Sequence, residues 1–581
     1  MGTNGKGLNI RQIYLTVDMT AKKIDETPVP KGYEYLSGRS LISKALLEEV
    51  DPTCHPLSPQ NQLIFSPGMF AGTFMSSCNR LSAGAKSPLT GGIKEANSGG
   101  VAAFMLGKLG IRALKIKGAS KEAGKLAGIR VTKDGVSFED LTDLKGKGTY
   151  ETTALLKSRF GEKTCIISIG PAGEMRMATA CIDVTDMEGE PCRNLGRGGL
   201  GAVMGSKGLK AIIIDDDATE PLSKHSDEAK GIIKEFAKML REHPVTGEMF
   251  PKFGTAMTLL NVNGLGGLPT RNFSSGRYEK AEEIGGPRLN EIITERGGMA
   301  AHACMPGCVI RCSNRYSDKA GKHMVGSVDF ETICLMGSNL DISDYDQIAE
   351  LNLRCNDIGI DTMETGVALG VLCEAGALRF GDYEGILRAV EAVGKGEPLG
   401  RLLASGAAAC GKAYGLTRVP VVKNQGMAAY DPRVVKGMGV TYGMSPMGAD
   451  HTAGNAITLE AEHADPEGKV PLVRNLHVQT VVYDSLGVCL FTGRVMNSNT
   501  HFLERMLKTL WGWEVSIDEL RNMAKEALRR ELEFNRRAGF TPAHDRLPDF
   551  MYTEKLEPNG MTYDIPIEES ERIYEISGCA S

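Results

Sequence analysis

Cys304, Cys308 and Cys312 recur at two equal intervals in HACMPGCVIRCS, and a fourth thiol, Cys489, lies far downstream in YDSLGVCLF. No other feature limits the fold so sharply, because a group shared by all four forces two distant segments together. Three close thiolates with one remote partner suit a cubane iron–sulfur cluster, whose assembly then depends on tertiary folding. Two other readings stay open on spacing alone. One is a structural zinc site, although the usual Cys-x2-Cys hooks or His pair are missing. The other is a set of buried thiols without any ligand.

A chain of 581 residues allows about three to four domains and a large core. Its net charge of −5 is mild, so no nucleic-acid partner is expected. No apolar run approaches the roughly 20 residues that span a bilayer, so no membrane span is expected either. The N-terminal MGTNGKGLNI has no apolar signal core, and Lys6 stands where a myristoylation motif needs Ser or Thr. A cytoplasmic location is the expectation. Cys165, Cys181, Cys373 and Cys410 lie singly among apolar neighbours and read as reduced core thiols. Of the 70 glycines, 30 fall in the first 210 residues, where they cluster in loops and point to tight turns and close backbone approach to something bound.

The first 215 residues read as β-rich. Ile13, Leu15 and Val17 alternate with polar residues, as in a half-buried strand. ALKIKG, TCIISIG and KAIIID are further short strands, and Asp134-Gly135 between GIRVTK and VSFED predicts a type I′ hairpin. Glycine-rich polar loops separate them. Beyond Asp217 the pattern is helical. Ser343 with Asp346 predicts one helix start, and Ser516 with Glu519 predicts a capping box. Leu520, Ala524, Ala527 and Leu528 form the apolar stripe of that second helix, which Gly539 ends.

Gly196, Gly198 and Gly201 match G-x-G-x-x-G, which invites a dinucleotide reading. That fingerprint needs a strand running into its first glycine. The preceding DMEGEPCRNL is polar and contains Pro191, so no buried strand is expected there, and the reading is set aside. Free N–H groups in such loops still suit a phosphate of another cofactor. A weak internal echo adds to this. NDIGID (Asn356 to Asp361) and DSLGVC (Asp484 to Cys489) share one form, which suits either two copies of a heterocyclic ligand or two ordinary helix ends.

AKSPLTGGIKEANSGG, IGPAGE, GRGGLGAVMGSK, VDFETICLMGSN and DSLGVC come in the order seen in tungsten-containing aldehyde:ferredoxin oxidoreductases. The chain resembles that family over nearly its whole length. The resemblance implies an α+β architecture: a β-rich pterin-binding domain (1–215), then two mainly α-helical domains (216–425 and 426–581). It implies a tungsten (or molybdenum) bis-pyranopterin, a [4Fe–4S] cluster on Cys304, Cys308, Cys312 and Cys489, and Mg2+ bridging the pterin phosphates. The family's pterin motifs fall on Asn356, Gly359, Ile360 and Asp361, and on Asp484, Gly487 and Val488. Arg80 matches an arginine between cluster and pterin. The Asn97 and Gly198 carbonyls match ligands of the magnesium, with Arg197 on the phosphate side and Gly99 and Gly196 in the same loops. Glu331 matches the active-site glutamate, and His451 in GADHTAG the active-site histidine.

The resemblance also implies the chemistry: oxidation of an aldehyde, with Glu331 as base and His451 polarising the carbonyl, and electrons leaving through the cluster to ferredoxin or an iron–sulfur subunit. Two alternatives are a low-potential reductase of an aromatic acyl thioester, in which Cys334 could ligate the metal, and a non-catalytic metal-binding scaffold. The departures are specific. Ile360 and Val488 replace leucine, Asn356 replaces an aspartate, and Glu350-Leu-Asn-Leu353 lacks the histidine of an interfacial iron site. No such iron is expected, so a homodimer loses one argument, while a homo- or hetero-oligomer stays open.

Overall fold

The computed structural model describes residues 2–3, 12–458 and 462–574. Two six-stranded sheets account for most of the strands before residue 216. The first runs in the order Lys23–Pro28, Ile13–Asp18, Ile111–Lys117, Leu63–Pro67, Leu81–Lys86, Ile93–Ser98. The second runs Arg193–Leu195, Ile182–Val184, Cys165–Ser168, Leu209–Asp215, Ala127–Thr132, Gly135–Asp140. Each sheet has one parallel pair, and its other pairs are antiparallel. The inward residues of both, among them Leu15, Val17, Leu114, Ile167 and Ile212, belong to one apolar core. Burial of such β-branched and aliphatic faces is the main force joining the sheets. Their edge strands Ile93–Ser98 and Arg193–Leu195 lie side by side, and the loops after these two strands carry Gly99 and Gly196.

The remainder is mainly helical, with a small three-stranded sheet at residues 299–326 flanking the cysteine loop. Its largest apolar core is continuous from Ala256 through Val422 and Met427 to Tyr563, crossing residue 425 without a break. No helix among the described residues is long and apolar enough to cross a membrane.

Three local expectations change. The hairpin at Asp134-Gly135 exists, but Thr132 pairs Gly135, so Lys133-Asp134 forms the loop. Of these residues only Gly135 has positive φ, +141°, so the turn is not type I′. The helix Tyr345–Ile358 is capped by Asp344, whose side chain accepts from Asp346 N–H at 2.7 Å, and not by Ser343. A strand does run into Gly196: the three residues Arg193–Leu195. It is a short antiparallel edge strand, so the dinucleotide fingerprint still lacks its central parallel strand. The capping box of Ser516 and Glu519 is present as expected on the helix Ile517–Arg537.

Candidate functional site

The two echo motifs are helix ends of the same kind. Gly359 ends the helix Tyr345–Ile358 at φ +77°, and Gly487 ends Lys469–Leu486 at φ +78°. Only glycine adopts that left-handed conformation without strain. Each presses against a glycine that follows a strand of one sheet. A Cβ on Gly359 would lie 2.7 Å from Gly170 N, and one on Gly487 would lie 2.9 Å from Gly68 Cα. Backbone bonds close both seams: Cys181 N–H donates to Gly359 O at 3.0 Å, and Arg80 N–H to Gly487 O at 3.1 Å.

Between the motifs lies a cavity of about 330 Å³. Of the expected residues, its wall includes Arg80, Asn97, Gly99, Gly196, Arg197 and Asn356. Asp361, Glu331, His451, Cys304, Cys312 and Cys489 line it too. Gly198, Gly359, Ile360, Asp484, Gly487, Val488 and Cys308 do not line it. The Gly198 carbonyl accepts from Ser87 Oγ at 2.7 Å, and the Asn97 carbonyl from Arg80 Nη2 at 3.0 Å. Each carbonyl keeps a second lone pair for a cation.

Glu331 sits in the first turn of Phe330–Met336. Its Oε2 accepts from Ala429 N–H at 2.7 Å, while Oε1 is buried with no hydrogen-bond partner and lies 3.6 Å from His451 Nε2. Burial pushes the Glu331 carboxyl above the ordinary range, against the pull of His451 and the Ala429 N–H. His451 opens a 3-10 turn capped by Asp450, which also pairs with the buried Lys94. Burial opposes ionisation of Asp450, yet Lys94 and Arg197 hold it well below the usual carboxylate range. Arg197 ties this loop to the first motif, donating to Ala449 O at 2.6 Å and to Asp361 at 3.3 Å.

On the other side, Cys489 N–H donates to Ser77 O at 2.8 Å and Ser77 Oγ donates to Cys308 Sγ at 3.4 Å, so Ser77 links the remote thiol to the cysteine loop. Cys304 and Cys308 act on each other, which raises the first thiol and lowers the second. Burial raises Cys489, while Arg80 opposes it. Among the described residues, no three of these four sulfurs lie within 4.8 Å of one another. A tetrahedral zinc at ~2.3 Å from each would hold them about 3.8 Å apart. The spread suits a larger group.

The rest of the wall also fits a polar ligand. Ser98 Oγ, Ser313 Oγ, Asp329 Oδ1 and Arg193 Nε are buried there without partners, as is His451 Nδ1. A Cβ on Gly196 would meet nothing within 4 Å. Buried orphan donors and acceptors beside a cavity are costly unless a partner meets them. Cys334 is fully buried in the helical core and is not part of the wall. Glu350, left over from the iron motif, accepts from Tyr383 Oη at 2.6 Å and pairs with Arg354. Arg193, Asp329, Lys94 and Asp450 were missed in the sequence; Asp329, two residues before Glu331 in VDFET, carried the clearest signal.

A two-sheet base, two matched helix ends and a buried polar cavity beside clustered thiols form one site. Family models for the aldehyde ferredoxin oxidoreductase N-terminal domain and for its domains 2 and 3 match residues 14–216 and 231–579. The chain belongs to the aldehyde ferredoxin oxidoreductase family. The tungsten-containing aldehyde ferredoxin oxidoreductase of Pyrococcus furiosus is 31% identical, covering 95% of this chain and 92% of that protein. Its counterpart in Thermococcus kodakarensis is 32% identical over 93% and 90%. The fold is shared with the BamBC active-site complex of benzoyl coenzyme A reductase at a TM-score of 0.77 and 19% identity, covering 97% of this chain and 93% of that one.

Proposed function

We propose that the chain oxidises an aldehyde with water to a carboxylic acid, releasing two protons and two electrons that leave singly to a ferredoxin-like carrier. The observation that carries this reading is the convergence of Glu331 and His451 on one cavity wall with Cys304, Cys312 and Cys489. When bound, a tungsten (or molybdenum) bis-pyranopterin supplies the two-electron chemistry and a [4Fe–4S] cluster the one-electron exit. Asn356 and Asp361 would hold one pterin and Asp484 the other, with the Asn97 and Gly198 carbonyls on Mg2+. The sulfur spread favours the cluster over zinc.

Glu331 Oε1 is placed to take a proton from water as it adds to the carbonyl carbon. Burial raises its proton affinity, which suits a general base. His451 holds the carbonyl oxygen by a hydrogen bond and so orients the substrate. Buried Asp450 fixes the turn that carries the imidazole. The aromatic thioester reductase gains nothing from Cys334, which lies away from the cavity. We propose a cytoplasmic location and a division into domains at residues 1–215, 216–425 and 426–581, the last two sharing one apolar core.

Anaerobic purification with metal analysis is the test, followed by a viologen-linked screen of aldehydes and acyl thioesters. Tungsten with about four iron per chain and turnover of aldehydes is the expected result. Zinc alone would establish the scaffold, and thioester turnover without aldehyde turnover would establish the reductase.

A further inference from the structure

Asp329 occupies the N-cap of the helix Phe330–Met336, yet its side chain makes no capping bond. An aspartate there ordinarily accepts from the first-turn N–H groups. Here Phe330 N–H donates instead to Thr255 Oγ1 at 2.9 Å. The carboxyl is part of the cavity wall together with Cys312, Ser327 and Glu331. Its Oδ2 accepts from Ser327 Oγ, and its Oδ1 is buried without a partner. Forgoing the cap while leaving a buried oxygen unpaired costs stability, so the arrangement is not explained by folding alone.

The surroundings hold the carboxyl in place. Ser327 is fixed at φ +66°, a left-handed conformation that persists only where neighbours enforce it. Asn352 Nδ2 donates to its carbonyl at 3.2 Å. Behind the hydroxyl stands Arg193, 6% exposed, whose Nη1 donates to Ser327 Oγ at 2.9 Å. Its Nη2 lies 3.0 Å from His302 Nδ1, and His302 Nε2 lies 2.6 Å from Glu188 Oε2. Arginine can only donate, so Nδ1 accepts and the imidazole proton sits on Nε2, toward Glu188. Asp329 and Arg193 line the same cavity wall as Cys304 and Cys312.

We infer that Asp329 is a charge-positioning residue: its carboxylate, aimed by Ser327 and Arg193, lowers the reduction potential of the cluster held by the cysteines. A fixed negative charge in a low-dielectric wall disfavours addition of an electron, and a fixed positive charge favours it. Arg193 is the counterweight, so the potential is set by an opposed pair. This rests on the proposed cluster.

The test is an EPR-monitored redox titration of the anaerobically isolated holoprotein, with iron content and melting temperature measured on each preparation. Asp329→Asn should move the cluster midpoint to a more positive potential, Arg193→Gln should move it to a more negative one, and Asp329→Glu should keep it near wild type. An unmoved midpoint in metal-bearing Asp329→Asn would overturn the inference. Equal shifts in Asp329→Asn and Asp329→Glu would also overturn it, by tracing the effect to shape. If Asp329→Asn failed to keep its iron, an unmoved midpoint in Arg193→Gln would assign the network a structural role only. Wild type without iron would overturn the proposed cluster as well, which separates the two failures.

Discussion

The two motif ends share one backbone and differ in charge. Gly359 and Gly487 have the same left-handed φ, cap helices of the same kind and meet Gly170 and Gly68 at the same close range. Around the first, Asn356 is neutral and accepts from Asn194 Nδ2 at 3.3 Å. The same Asn194 amide donates to the buried Asp183 at 2.9 Å, so an aspartate at 356 would face a second carboxyl. Asp361 is met by Met363 N–H at 3.0 Å and by Arg197. Around the second, Asp484 accepts from Asn97 Nδ2 at 3.0 Å and from Arg39 at 3.2 Å. Arg39 is claimed twice more by Glu531, and Glu95 lies near. Geometry is repeated where the backbone must pass; electrostatics diverges where each end has its own neighbours.

The largest expected effect separates the last position of each motif. Cys489→Ala should lose most of its iron, whereas Asp361→Ala, at the matching position, should keep the iron and lose pterin. Cys373→Ala is the control and should keep both. Iron content equal to wild type in Cys489→Ala would end the assignment of the two ends to different roles.

Between the motifs, Glu331→Gln preserves shape and removes the base, so turnover should fall by about 10² to 10⁴ with metal content and melting temperature unchanged. A helix-start glutamate that only stabilised its helix would show the reverse. Wild-type turnover with full metal would remove Glu331 from the reaction.

If the backbone roles are the same, Gly359→Ala and Gly487→Ala should cost similar amounts. A left-handed alanine pressed against backbone should destabilise by roughly 1–3 kcal/mol in each case. Chemical denaturation that found one variant near wild type would show the repeat to be incidental.

The parts of this comparison that could be read from sequence are local. Both motif glycines, the cysteine loop and the capping box at Ser516 are short patterns whose physics lies within a few residues. Asp344 was missed as a cap because two good acceptors stand side by side at residues 343 and 344. The strand Arg193–Leu195 was missed because a buried arginine reads as polar until His302 and Ser327 satisfy it. Lys94 with Asp450, and Arg39 with Asp484 and Glu531, pair across hundreds of residues. Nothing in local pattern encodes such partners, since they depend on how the sheets and helices pack.

The smallest effect is the pH dependence of the second motif. Burial, joined by repulsion from Asp484, pushes Glu95 up to about 8, and burial pushes Asp484 up to about 6 against the pull of Arg39. Unfolded, both groups would release their protons near pH 4. Between about pH 4 and 8 the folded state therefore binds more protons than the unfolded one, and stability falls as pH rises through that window. Asp484→Asn removes one member and relieves the repulsion on Glu95. The melting-temperature difference between variant and wild type should then favour the variant more at pH 8 than at pH 5. For a chain of this size the change is about 1–2 °C. Asn356→Gln, at the neutral end, should show a pH-independent difference. A difference for Asp484→Asn that stayed constant from pH 5 to 8 would mean that the buried carboxyls hold no extra proton, and that the two ends are electrostatically alike.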